Sequence, residues 1–271
     1  MRKPASLFLF FVLLTCTLDA GSRQSSKQAI DRYGAEYVQQ LTDEVNAQMD
    51  ARQVNVALIA RCGRLRADLP EGVDFTHVGI AVFEAVVRED GKVGYTYSVY
   101  NLYQGVDGDM GKSHLVQDFT FDLCSGAVEP EIAVIVPSDA LQKRILEVIR
   151  SPAYAALHNP KYNLIANPFN DQFDNCVTHT LKILVAAIYN TDDQERIYED
   201  INSYFKPEEI NLSVAERIGV NFMSGVSDDD QSSRHVKTAT FGSLKRFLDE
   251  YKLTKDYFVV RVEPPKPASK K

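Results

Sequence analysis

The sequence predicts an α+β fold: an antiparallel sheet packed on a cysteine-bearing helix, with a helical C-terminal extension. Three observations predict it. Between Val54 and Val136, stretches that alternate apolar and polar residues with period two are separated by turns carrying glycine and aspartate. Val177, Leu181, Leu184 and Ile188 step by four, three and four, the spacing of one buried helix face. Beyond Asn190 the chain turns mostly helical and closes on one apolar strand. With 271 residues, 45% hydrophobic and 25% charged, the chain can bury one sizeable core.

The elements follow in order. Residues 1–20 read as a signal peptide: Arg2 and Lys3 precede the apolar run Leu7 to Leu14, too short to span a bilayer. Cleavage is expected after Ala20, although Leu18 is large for that site. Leu13-Leu14-Thr15-Cys16 only faintly resembles a lipoprotein box, so a periplasmic or secreted protein not anchored at Cys16 is expected. Residues 21–52 form an N-terminal helical segment, Ser25 to Asp50 carrying Ile30, Tyr33, Tyr37 and Leu41 on one face. Residues 53–190 form the core unit. Its first strand runs over Val54–Ala60; Phe75–Val87 is the second, with His77, Gly79 and Ala81 on one face and Thr76, Val78, Ile80 and Val82 on the other. The His77 face is small around the imidazole. Glu89-Asp90-Gly91-Lys92 turns into a third strand, Val93–Gln104, which aligns Tyr95, Tyr97, Val99, Asn101 and Tyr103. Val116–Leu123 and Glu131–Val136 read as further strands, Ser138–Arg150 as a capped helix, and Pro152–Pro168 as a loop-rich approach to the central helix. Residues 191–271 form the extension: helices at Asp192–Phe205, Ser213–Met223 and Ser243–Tyr251, an acidic loop at Ser224–Arg234, a strand at Tyr257–Val262 and a basic tail.

The net charge of −7 argues against nucleic acid as a partner. After removal of the leader three cysteines remain, Cys62, Cys124 and Cys176. A Cys62–Cys124 disulfide, or two buried thiols, with Cys176 free fits an odd count, and spacing does not choose between them. Gly111-Lys112-Ser113 looks like the end of a phosphate loop, but the first glycine would fall at Val106, so the pattern fails. Asp107-Gly108-Asp109 and Asp228-Asp229-Asp230 lack the full ligand spacing of a calcium loop. Cys176, His179 and His77 could begin a zinc site, yet the spacing supplies no fourth ligand. No cofactor or metal is expected.

Cys176 carries the strongest chemical signal. Capped by Asp174 or Asn175, it lies in the first turn of its helix, where unpaired N–H groups and the helix dipole favour thiolate. Asp174 and burial oppose that, and the competing reading is a small buried hydrophobe. His77, on a strand facing small residues, can act as the base of a thiol nucleophile, with Asn101 on the next strand orienting the imidazole. His77 and the helix N-terminus are expected to outweigh burial and lower the thiol pKa.

At these residues the chain resembles a known group. Thr76-His77-Val78-Gly79-Ile80 on a strand, then Asn175-Cys176 opening a helix, resembles the circularly permuted NlpC-type branch of papain-like enzymes, which includes lecithin–retinol acyltransferase-like proteins. More narrowly, Ala60-Arg61-Cys62-Gly63, Phe75 to Gly79, Ser98 to Tyr103 and Tyr162 to Cys176 are similar to exported bacterial proteins of domain of unknown function family 2145. The resemblance spans Val54 to about Tyr189. It implies Cys176 as nucleophile, His77 as base and a polar residue on the next strand, here Asn101, as orienter. The expected function is a thiol-dependent hydrolase or acyltransferase acting on an amide, ester or thioester. A cell-wall peptide is the favoured substrate and a lipid the second. The N–H of Cys176 would form part of the oxyanion hole; Tyr162 is a candidate second donor, with a structural tyrosine as the favoured reading of that residue. The alternative is a non-catalytic binding module on the same fold.

Overall fold

The computed structural model describes residues 27–87, 90–105, 109, 111–211, 227, 229–231 and 235–265. The N-terminal segment is two helices, α1 (Gln28–Tyr33) and α2 (Ala35–Ala51), rather than one. Gly34 breaks them apart at a φ of 88°, a left-handed value that glycine adopts without steric cost. The sheet contains β1 (Val56–Arg61), β2 (His77–Val87), β3 (Val93–Gln104), β4 (Ser113–Phe119), β5 (Glu131–Pro137) and β8 (Thr254–Arg261). Its order is β4-β3-β2-β1-β5-β8, and every neighbouring pair is antiparallel.

Period-two alternation gives the sheet two apolar faces. Val56, Leu58 and Ala60 of β1 pack with Val78, Ile80 and Val82 of β2 against α4 (Asp139–Ile149) and α6 (Cys176–Tyr189). Ala57, Ile59, Ala81 and Val99 pack on the other face, against α2 and α3 (Thr120–Ser125). α5 (Ala153–Ala156) is one short turn inside the expected loop. Beyond α6 come α7 (Gln194–Tyr204), a two-stranded pair of β6 (Glu208–Asn211) and β7 (His235–Thr238), and α8 (Phe241–Glu250). Ile197, Ile201, Phe241, Leu244 and Leu248 enter the same core cluster as Leu181 and Leu184 of α6.

Two further differences from expectation lie in the strands. The strand expected over Val116–Leu123 ends at Phe119, because Asp122 accepts the Phe119 N–H at 3.1 Å and starts α3. The β6–β7 pair was not foreseen. The helix expected at Ser213–Met223 and most of the acidic loop lie outside the described residues, as do the leader, Cys16 and the basic tail. Among the described residues no helix is long and apolar enough to cross a membrane.

Candidate active site

Asn175, in extended conformation, caps α6. Its Oδ1 accepts from the N–H groups of Val177 (3.0 Å) and Thr178 (2.9 Å), while Thr178 Oγ1 accepts from the Asn175 N–H at 2.7 Å. The cap consumes the second and third amides of the helix and leaves the N–H of Cys176 itself beside the sulfur. Asp174 turns inward instead. It is fully buried, pairs with Lys182 Nζ at 2.7 Å and accepts from Thr178 Oγ1 at 2.6 Å. Its charge is directed at Lys182, so the opposition to thiolate expected of it is weak.

The second half of the site lies where two strands part. The β2–β3 ladder runs from Val87↔Val93 to Ile80↔Tyr100 and stops, although β2 continues to His77 and β3 to Gln104. Asn101 folds across this gap and over Gly79, where a Cβ would stand 2.5 Å from Asn101 Oδ1. Asn101 Oδ1 lies 2.9 Å from His77 Nε2. Asn101 Nδ2 donates to Asp118 Oδ1 at 2.7 Å and to Val99 O at 3.0 Å. Two acceptors around Nδ2 fix the amide orientation, so Oδ1 must accept and His77 Nε2 must donate. The lone pair of a neutral imidazole is thereby placed on Nδ1, the nitrogen available to act as a base. Tyr103 stacks on the ring at 4.7 Å with 3° between planes, and its hydroxyl donates to Asp118 Oδ2 at 3.0 Å.

Thiol and imidazole approach from different sides. His77 shares its face with Ala81 and Val99, the α2 and α3 side, whereas Cys176 belongs to the cluster of Val78 and Ile80 on the α6 side. Among the described residues no hydrogen bond joins the two side chains; the link between them is local, since the N–H of Val78, the residue after His77, is the first of the backbone groups that favour a thiolate at Cys176. Cys176 is 5% exposed and His77 8%. Burial raises the thiol pKa above its ordinary value, against the N–H groups of Val78, Val177 and Cys176 and the charge of Arg61. Burial and then Arg61 lower His77 to about 3, against its bond to Asn101. The expected low-pKa thiol is therefore corrected. Desolvation outweighs the helix N-terminus, and His77, itself desolvated, is not the positive charge that would help. At rest the thiol and the imidazole are both neutral.

Tyr162 is carried to the start of α6 by backbone pairing of 161–163 with Asp174. Burial, then a negative charge on Cys176, holds its phenol well above 10, so it stays an O–H donor. His179 is buried between Tyr154 (5.4 Å) and His158 (6.2 Å), and neither ring nitrogen has a hydrogen-bond partner. It packs rather than ligates. Among the described residues no three or more His, Cys, Asp or Glu groups are placed to hold a metal. Cys62, Cys124 and Cys176 are all free, buried thiols; Cys62 and Cys124 lie in the clusters on opposite faces of the sheet. Sequence reasoning missed Asp118, the stacking of Tyr103 and Arg61. The sequence shows Asp118 only as a carboxylate on the strand expected after that of Asn101, and Arg61 only as a charge at the end of an apolar strand; neither signal gives the neighbour that each would face.

A family described as "Uncharacterized protein conserved in bacteria (DUF2145)" matches residues 48–248, well over half of the chain. That match extends past Tyr189 through α7 and into α8, beyond the motifs quoted above. No curated protein and no solved structure matches.

Proposed function

We propose that this chain, which belongs to the DUF2145 family of uncharacterized proteins conserved in bacteria, is an exported thiol-dependent hydrolase or acyltransferase with a permuted papain-like core. One observation carries the reading: Asn101, itself held by Asp118 and Val99, keeps the lone pair of His77 on Nδ1, and the N–H of the next residue, Val78, favours a thiolate at Cys176. On this reading the thiol proton passes to His77 Nδ1 as Sγ attacks the carbonyl carbon of an amide, ester or thioester. The oxyanion takes the N–H of Cys176 and the hydroxyl of Tyr162. The tetrahedral adduct collapses to a thioester, and His77 returns the proton to the departing amine, alcohol or thiol. Water or an acyl acceptor then attacks the thioester, with His77 again taking the proton. A periplasmic or secreted location makes cell-wall peptide the first substrate to try and lipid the second.

The binding-module reading draws on one observation too, the near-complete burial of both side chains. A broad thiol-reactive probe of the epoxysuccinyl type separates the two. Labelling is expected on Cys176, absent in Cys176→Ala and slowed about 100-fold in His77→Ala, the usual scale of acid–base assistance. Labelling unaffected by His77→Ala would favour the binding module.

A further inference from the structure

Arg61 is a buried cation without a carboxylate. Only 4% of it is exposed, and no Asp or Glu among the described residues lies within ion-pair distance. Nη1 donates to Gly126 O at 2.6 Å, and Nε has no partner at all. Two glycines make room for it: a Cβ on Gly126 would fall 2.0 Å from Nη1 and one on Gly63 3.0 Å from it. Burying an unpaired charge is costly, and a positive charge so housed implies an anion that forms beside it. The register says where. Arg61 is the direct cross-strand partner of His77, and residues directly opposite share one face with Cβ atoms about 4.5–5.5 Å apart.

We propose that Arg61 is a positioning residue for the Cys176–His77 pair: buried directly across the ladder from His77, it is the standing positive charge against which the thiolate forms. This rests on the hydrolase reading above. A protonated His77 would face a like charge across the ladder, so the imidazole rests as an acceptor. When the thiol gives up its proton, the guanidinium gains an anion and the new imidazolium a repulsive neighbour, which favours passing the proton on to the leaving group. The other groups that feel this charge are Tyr103 on β3, Asp118 on β4 and Cys124 on α3, and Asp122 on α3 acts on all three of them. Asp118 does not cancel Arg61 at neutral pH, since burial and Asp122 push its carboxyl up to about 8.

The test uses the mature protein, with imidazole NMR of labelled histidine and iodoacetamide alkylation of Cys176, both against pH. In wild type His77 should titrate only at about 3, far below its ordinary 6.5. In Arg61→Met its titration, and the upper break of the alkylation profile, should both move to higher pH by about one unit or more, the scale of one nearby charge. Arg61→Lys should restore both; a purely structural arginine would change overall stability without moving either break. Arg61→Gln serves as the neutral variant if Arg61→Met does not fold. An unshifted His77 in a folded neutral variant, or a wild-type His77 that titrates near 6.5, overturns the proposal. An alkylation profile insensitive to His77→Ala would instead sink the hydrolase reading while leaving the NMR result readable.

Discussion

At the scale of single residues, the site is a chain of polar side chains laid across three strands: His77, Asn101, Asp118 and Tyr103. His77, Asn101 and Cys176 were legible because each stands at a position that strand or helix periodicity marks. Asp118 and Arg61 were not, because their roles depend on which strands become neighbours, and period two does not carry strand order. Asp118 makes a pH prediction. Its folded carboxyl titrates at about 8 against an ordinary 3.8, so between those values the unfolded chain has lost a proton that the folded one keeps. Stability therefore falls as pH rises through that window. His77 gives the opposite slope, since an imidazole held at about 3 instead of 6.5 loses stability as pH falls from 6.5 to 3. Above pH 6.5 only the Asp118 slope remains of the two. Thermal melts from pH 6.5 to 8 should show a falling Tm in wild type and a flatter line in Asp118→Asn; parallel lines would mean that Asp118 is ionised in the fold.

At the scale of elements, α6 does two jobs: its first turn presents Cys176, and its body fills the core. Leu181 and Leu184, read from spacing, are buried as that spacing requires. What spacing did not show is that Lys182, one residue along, is also buried and holds Asp174 from eight positions away. A lysine beside apolar residues reads as a solvated face until the loop that folds back over it is known. Leu157 O accepts from the same Nζ at 2.6 Å, so Lys182 ties both the approach loop and Asp174 to the helix. Lys182→Met strands a buried carboxyl and should cost about 3–5 kcal/mol. Asp174→Asn combined with Lys182→Met should recover much of that, because no unpaired charge is left. Urea unfolding of the two variants measures the difference; equal losses would show that the unpaired carboxyl is not what destabilises Lys182→Met. The boundary error at β4 has a similar origin. Phe121 and Leu123 continue the strand alternation, but Asp122 caps a helix there, and capping overrides alternation over one turn.

At the scale of the whole molecule, the fold class was readable and the architecture only in part. Alternation gave a sheet and its closing strand, and β8 does pair with β5. It could not give two covered faces, nor place α7 and α8 in the same core as α6, because those contacts join segments far apart in sequence. That arrangement has a chemical consequence. Packing on both faces desolvates the thiol and the imidazole together, so the pair rests neutral, and the central claim concerns what such a pair does with one proton. Between the low pKa of His77 and the raised pKa of Cys176, proton transfer within the pair is an internal equilibrium and does not depend on pH. The measurement that tests this most directly is the rate of Cys176 alkylation by iodoacetamide against pH, in wild type and His77→Ala. The account predicts a flat wild-type profile across neutral pH, and a His77→Ala profile that is slower there and climbs about tenfold per pH unit as an isolated thiol ionises. Two superimposable, steadily rising profiles would contradict it and leave Cys176 a packing residue.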